Sequence, residues 1–283
     1  MSITAIHGLH CRPVYTWWEP TRPPISLSIG NSTLRDVAAG VSDIVMLGWV
    51  TDNTCGLHFT QGGSVPQSKA LWDSQRSLLQ ALGFRVHAYI ELNPGGTSHC
   101  AANTSAAAAF GASVRSLMEE GWDGLQISVE GCGPNEKHLI PQYQQFVAGL
   151  KQKVGSQREL GVWIHEYCNE PSDFCMTCND YKQTTGFDRI IYYGPQYWGY
   201  MSAAQIDLIG QAQAALGKAG TPGMAPKALH GNLFGPAFGR PEHNATLLQS
   251  LDAVAFQGWP LGTGTNSTTV PTPLSSYRAL PCV

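Results

Sequence analysis

The sequence predicts an α/β fold, a single (β/α)8 TIM barrel that occupies residues 1–283 as one domain. Three observations lead there. Short β-branched or aromatic runs alternate with helical stretches along the whole chain, the pattern of a parallel sheet wrapped by helices. The 283 residues suit a lone barrel, which typically needs about 250. No linker, low-complexity block or internal repeat divides the chain. No strand is followed by the G-x-G-x-x-G or G-x-x-x-x-G-K loop with which nucleotide-binding sheets cradle phosphate.

In chain order the strands are expected at Ile3–His10, Asp43–Thr51, Phe84–Glu91, Gly124–Glu130, Gly161–Tyr167, Arg189–Tyr193, Lys227–Phe234 and Ala253–Gly258. Each is a short run of strand-forming residues bounded by turn formers. Helices are expected at 32–41, 65–81, 105–120, 140–154, 201–218 and 241–251. Several stop at a glycine just past the last turn, Gly83, Gly121 and Gly155, where left-handed backbone ends a helix. The connection from Cys168 to Phe187 is irregular, and the eighth helix is short or missing. A functional face, in this architecture, lies at the carboxyl ends of the strands.

Composition narrows the partners. Hydrophobic residues make up 43% and aromatics 10%, enough for a large core, so disorder, coiled coil and collagen are excluded. Seventeen basic against 20 acidic residues leave −3, with no basic run or stripe to neutralise a phosphate backbone, so no nucleic-acid partner is expected. No apolar stretch reaches the roughly 18 residues of a membrane span. No membrane partner is expected either. Oligomeric state is not legible.

Eight cysteines, an even number, stand in a chain rich in Gly, Ser and Thr and poor in Lys. Four N-x-S/T sequons begin at Asn31, Asn103, Asn244 and Asn266. Together they predict a secreted, disulfide-bonded glycoprotein; the rival is a cytosolic chain with free thiols and accidental sequons. Met1 leads into Ser2-Ile3-Thr4-Ala5-Ile6 without a basic or apolar leader, so the signal is expected to be absent from this chain. Cys11, Cys55, Cys100, Cys132, Cys168, Cys175 and Cys178 all follow expected strands, and only Cys282 lies elsewhere. Cys175-x-x-Cys178 with Cys132 and Cys168 has the residue types of a zinc site. Disulfides are the expectation in a secreted chain, with no metal and no cofactor.

The most informative segment is Gly121-Trp122-Asp123-Gly124-Leu125-Gln126-Ile127-Ser128-Val129-Glu130. With a period of two, Leu125, Ile127 and Val129 face the helices, while Gln126, Ser128 and Glu130 face the opposite way. Glu130 then stands at the open mouth of the barrel, where partial shielding by aromatics suits a general acid.

These residues resemble glycoside hydrolase family 18, the chitinases and chitinase-like proteins, whose fourth strand carries D-G-x-D-x-D-x-E. Here Asp123, Gly124 and Glu130 match, and Gln126 and Ser128 stand where the family has its second and third Asp. Gly95-Gly96 is similar to the family's S-x-G-G turn, Phe187-Asp188 to its sixth-strand opening and Lys227-Ala228-Leu229-His230-Gly231 to its seventh-strand start. Trp259 falls near its sugar-stacking Trp. The resemblance spans nearly the whole chain and implies an oligo- or polysaccharide partner containing N-acetylglucosamine. It implies Glu130 as the acid that protonates the glycosidic oxygen, with the substrate's 2-acetamido group as nucleophile, an exception to the two-carboxylate scheme. In that scheme the third Asp stabilises the charge on the acetamido group, which a neutral Ser128 does not. Losing such a partner typically costs about 10²–10³ in rate. The family's sixth-strand Tyr falls on Pro195, and Tyr193 or Tyr197 takes its place only with a shift of register.

Other residues bear on the same site. Glu91 ends the third expected strand and Glu166 the fifth, and neighbouring strands lie about 4.8 Å apart, so either is a candidate second carboxylate beside Glu130. Trp17, Trp18, Tyr197, Trp198 and Trp259 follow strands and form a candidate platform for sugar rings, whereas Trp49 reads as core. His7, His10, His87, His165 and His230 lack the H-x-H and final Asp of metal-dependent barrels and read as hydrogen-bonded interior residues. Two functions follow: a glycoside hydrolase working through Glu130, or a catalytically inactive chitinase-like lectin, inhibitor or storage protein.

Overall fold

The computed structural model describes residues 14–18, 42–51, 54–59, 68–92, 100–129, 136–164, 180, 183–184, 186–193, 227–230 and 253–256. Within them the strands are β1 (Val14–Trp18), β2 (Asp43–Thr51), β3 (Leu57–Phe59), β4 (Arg85–Leu92), β5 (Gly124–Val129), β6 (Glu159–Ile164), β7 (Arg189–Tyr193), β8 (Lys227–His230) and β9 (Ala253–Phe256). The helices are α1 (Lys69–Ala81), α2 (Thr104–Glu119) and α3 (Ile140–Val154), the last entered through a 3-10 turn at Glu136–Leu139. The architecture is mixed α/β on a parallel sheet. The parallel pairs run β2–β4, β4–β5, β5–β6, β6–β7, β7–β8 and β8–β9, and β1 pairs in parallel with both β2 and β9. The antiparallel member is β3, which folds back on the carboxyl end of β2.

Strand alternation sets the core. Val86, Ala88, Ile90 and Leu92 of β4, Leu125 and Ile127 of β5, and Leu160 and Val162 of β6 share one fully apolar, buried face. Helices α1 and α3 pack against β4 and β6. Their buried stripes recur every three or four residues: Trp72, Gln75, Arg76 and Leu79 on α1, and Tyr143, Phe146, Val147, Leu150 and Val154 on α3. Phe110 of α2 stacks on Phe146 of α3 with centroids 5.7 Å apart. Burying each such large apolar side chain contributes about 1.5–3 kcal/mol before chain entropy is subtracted.

Helix starts follow their caps. The stretch expected from 65 begins at Lys69, because the Ser68 side chain accepts from the Leu71 N–H. The stretch expected from 105 begins at Thr104, because Asn103 caps it. Past the helix ends, Gly83 and Gly121 take positive φ angles of 94° and 97°.

Several expectations are corrected. Trp17 and Trp18 lie within β1, with Trp17 opposite Val45 and Trp18 opposite Met46, and are not on a loop after the first strand. Val14-Tyr15-Thr16-Trp17-Trp18 is an unbroken run of strand formers whose amides find partners on two sides. Cys11 therefore precedes β1. The expected strand Ile3–His10 lies outside the described residues. The fifth expected strand starts two residues earlier, at Glu159. The hairpin strand β3 was missed because three residues carry no readable period. Its turn contains Cys55 at φ 64°, tied by a disulfide to Cys100, whose Cα lies 5.7 Å away. That bond joins the end of the β2–β3 turn to the segment entering α2.

Candidate active site at the carboxyl ends of the strands

The second face of the sheet is polar and is layered along the strands. At its amino-terminal end stand the charged residues that open four of the strands, Asp43 on β2, Arg85 on β4, Glu159 on β6 and Arg189 on β7; β8 also opens on a charge, Lys227. Glu159 is the hub. Its Oε1 accepts from the Tyr15 hydroxyl at 2.6 Å and from Gln126 Nε2 at 2.8 Å, and its Oε2 pairs with Arg85 at 3.5 Å and Arg189 at 3.6 Å. Burial alone pushes this carboxyl up, but Arg189, His87 and Arg85, with the Tyr15 hydrogen bond, outweigh it and hold it down to about 2. The same burial, only partly offset by Arg189, raises the Tyr15 hydroxyl well above its ordinary value. Asp43 accepts from Ser42 at 2.5 Å and pairs with Arg85 at 3.2 Å and with His87 Nε2 at 2.7 Å. The other ring nitrogen of His87, Nδ1, faces the Gln126 amide at 3.4 Å.

Two glycines make room for this layer. A Cβ on Gly161 would fall inside the Gln126 amide, and one on Gly124 would strike His87 Nδ1 and the Glu159 carbonyl. Strand starts are fixed by a repeated device. Asp123, just before β5, accepts the Val86 N–H of β4 at 2.8 Å, and Asp188, just before β7, accepts the Leu160 N–H of β6 at 2.7 Å. Asp123 and Asp188, two of the residues that carry the family resemblance, thus set strand register.

The next layer is Tyr89 and Gln126, into which Trp163 reaches from two residues further along β6. Tyr89, Gln126 and Gly161 are register partners across β4, β5 and β6. Gln126 is fully buried. Its Oε1 accepts from the Trp163 indole at 3.1 Å while its Nε2 serves Glu159, so both halves of the amide are engaged. Tyr89 meets Trp163 edge to face at 6.2 Å.

Above this floor the register sets Glu91 of β4 opposite Ser128 of β5, and Ser128 opposite Trp163 of β6. Glu91 is half-buried and in phase with Tyr89 and His87. Tyr193 ends β7 opposite His230 of β8. Glu130 follows directly after Val129, the last residue of β5. Glu130, Glu166, Tyr197, Trp198 and Trp259 lie outside the described residues, as do Cys132, Cys168, Cys175 and Cys178. The register thus sets Ser128 level with Glu91, two residues beyond Gln126, while Trp49 is core, packed edge-on against Trp122 at 5.0 Å. Among the described residues no cluster of His, Cys, Asp and Glu is arranged to hold a metal ion, and no helix is long and apolar enough to cross a membrane.

Reading the sequence missed the amino-terminal layer of Tyr15, Asp43, Arg85, Glu159 and Arg189. The available signal was five strand starts on charged residues, Lys227 of β8 included, in a chain only 13% charged.

Comparison with solved structures assigns the fold. A GH18 chitinase from Pseudoalteromonas aurantia superposes with a TM-score of 0.58 at 12% identity, over 94% of this chain and 99% of that one. A class V chitinase from Nicotiana tobaccum, solved in complex with NAG4, gives 0.55 at 10% identity over 77% of this chain and 66% of that one. The spore cortex-lytic enzyme SleL of Bacillus cereus gives 0.53 at 13% identity over 78% of this chain, which spans only 51% of SleL. The chain therefore has a GH18 chitinase-like fold. No family model matches the sequence, and no curated protein matches it.

Proposed function

We propose that this chain is a secreted, disulfide-bonded (β/α)8 barrel that engages N-acetylglucosamine-containing glycans at the carboxyl ends of its strands. On this reading it hydrolyses their β-glycosidic bonds with Glu130 as general acid. Closure of the barrel is supported by the pairing of β1 with both β2 and β9. Export to an oxidising compartment is supported by the Cys55–Cys100 disulfide.

The observation that carries the function is the β4–β5–β6 register. It sets the half-buried Glu91 level with Ser128 and Trp163 over a floor of Tyr89 and Gln126, in a chitinase-like fold. Glu91 on β4, level with Ser128, supplies negative charge where Ser128 has none. Glu130 donates its proton to the leaving oxygen, and the positive charge that develops on the sugar or its acetamido group is met by Glu91.

Turnover of chitin oligomers and a panel of β-glycans tests this directly. Glu130→Gln is expected to abolish it, and Glu91→Gln to lower it by about 10²–10³. Ser128→Asp is expected to raise it. A wild type that binds one glycan on the panel and cleaves none establishes the second reading, a chitinase-like lectin, inhibitor or storage protein. That reading is favoured by a specific observation: Gln126 is fully buried, with its amide bonded to Glu159 and Trp163.

A further inference from the structure

Asn103 sits at the junction of three features. It opens the sequon Asn103-Thr104-Ser105, it caps α2, and it follows Cys100, which is bound to Cys55. Its Oδ1 accepts from the Ser105 N–H at 3.0 Å and the Ala106 N–H at 3.1 Å, while its Nδ2 donates to no described residue. The first of these bonds is an Asx turn, and together they lock the side chain with its oxygen toward the helix and its nitrogen away from it. Asn103, Thr104 and Ser105 are exposed. The adjoining surface is an open groove of about 640 Å3 between α2 and α3, whose α2 wall beside the amide is the small residues Thr104, Ala107 and Ala108, with Arg115 further along the helix.

We infer that Asn103 carries an N-linked glycan, with the cap and the modification sharing one side chain: Oδ1 holds the helix and Nδ2 holds the sugar. The inference rests on the export reading above. In the transfer, Nδ2 attacks C1 of the first sugar of a lipid pyrophosphate-linked oligosaccharide. The N–C bond forms, the sugar–phosphate bond breaks, the amide gives up one proton, and the lipid pyrophosphate leaves. Oδ1 keeps both lone pairs, so the α2 cap survives the reaction. Of the four sequons, this one lies in the described residues.

The full chain, secreted from a eukaryotic host behind a heterologous leader, provides the test. Trypsin releases residues 86–115 as one peptide, in which Asn103 opens the only sequon. That peptide is expected to carry N-acetylhexosamine and hexose. Treatment with peptide-N-glycanase in heavy-oxygen water should remove the sugars and leave a labelled acid at 103. Ser105→Ala is expected to abolish the glycan with little change in the unfolding midpoint beyond loss of the sugar, because the capping donor at 105 is a backbone N–H. Asn103→Ala, which removes cap and acceptor together, is expected to lower the midpoint further. A bare 86–115 peptide in the secreted protein overturns the inference whether or not other sequons are occupied. The export reading is judged separately by locating the native protein, and its retention in the cytosol removes that premise even where the leader-driven protein is modified.

Discussion

Gln126 stands where the resembled family has an acidic residue, and its surroundings explain why an acid is excluded. Replacing it by its isostere, Gln126→Glu, turns the donor that meets Glu159 Oε1 at 2.8 Å into a carboxylate oxygen facing another carboxylate. Two unit charges about 4 Å apart repel by about 4 kcal/mol at an effective dielectric of 20. The protein's alternative is to protonate the new carboxyl. For a group with an ordinary value near 4.3, that costs about 4 kcal/mol at pH 7. Either route predicts a loss of roughly 4 kcal/mol at neutral pH. The sign of the pH dependence follows from the new carboxyl, whose value in the folded state is raised above that of the unfolded chain. Its neutral form donates to Glu159 and restores the lost bond, so stability is close to wild type below about pH 4 and is lost as pH rises. Urea unfolding of both proteins at pH 4 and pH 7, with Trp fluorescence as probe, measures the difference. If Gln126→Glu is as stable as wild type at pH 7, the polar layer does not hold the charges assigned to it and the reasoning fails.

Three further outcomes are expected. Glu159 is depressed from 4.5 to about 2, so its stabilisation is complete above about pH 4.5 and drains away as pH falls toward 2. Glu159→Gln should flatten that acid limb and cost about 3–5 kcal/mol at pH 7 by removing the buried carboxylate that Arg189 and Arg85 share; an unchanged acid limb in urea titrations contradicts the assignment. Gly161→Ala should displace the Gln126 amide and cost about 1–3 kcal/mol, and a wild-type denaturation midpoint would show that the space is not shared as described. Breaking the Cys55–Cys100 bond, with its sequence separation of 45, should cost about 4 kcal/mol on the chain-entropy account. Thermal unfolding of the Cys55→Ala/Cys100→Ala pair checks this, and an unmoved midpoint counts against it.

Much of the fold was legible because strand and helix periods are local. Asp43–Thr51 and Arg189–Tyr193 stand at their expected bounds, and α3 occupies the expected 140–154. Misses came where the deciding group is remote or the element short. The start of β1 hinges on pairing with β2 and β9, and β3 exists by virtue of the strand it folds against. At the candidate site, alternation alone put Gln126 and Ser128 on one face and Glu91 on the matching face of its own strand. Their level across strands was not readable, since register depends on anchors such as Asp123, which bonds the Val86 N–H thirty-seven residues away.

The sequence by itself determined the class of fold, the polar and apolar faces of each long strand, and the break in the acidic motif at Gln126 and Ser128. Tertiary structure alone decided what that break is for at Gln126: a neutral amide bridging an anionic Glu159 and the Trp163 indole over a glycine that leaves it space. The reason is physical. Periodicity is written in neighbouring residues, whereas the cost of a buried charge is set by whatever other strands bring within a few ångströms of it.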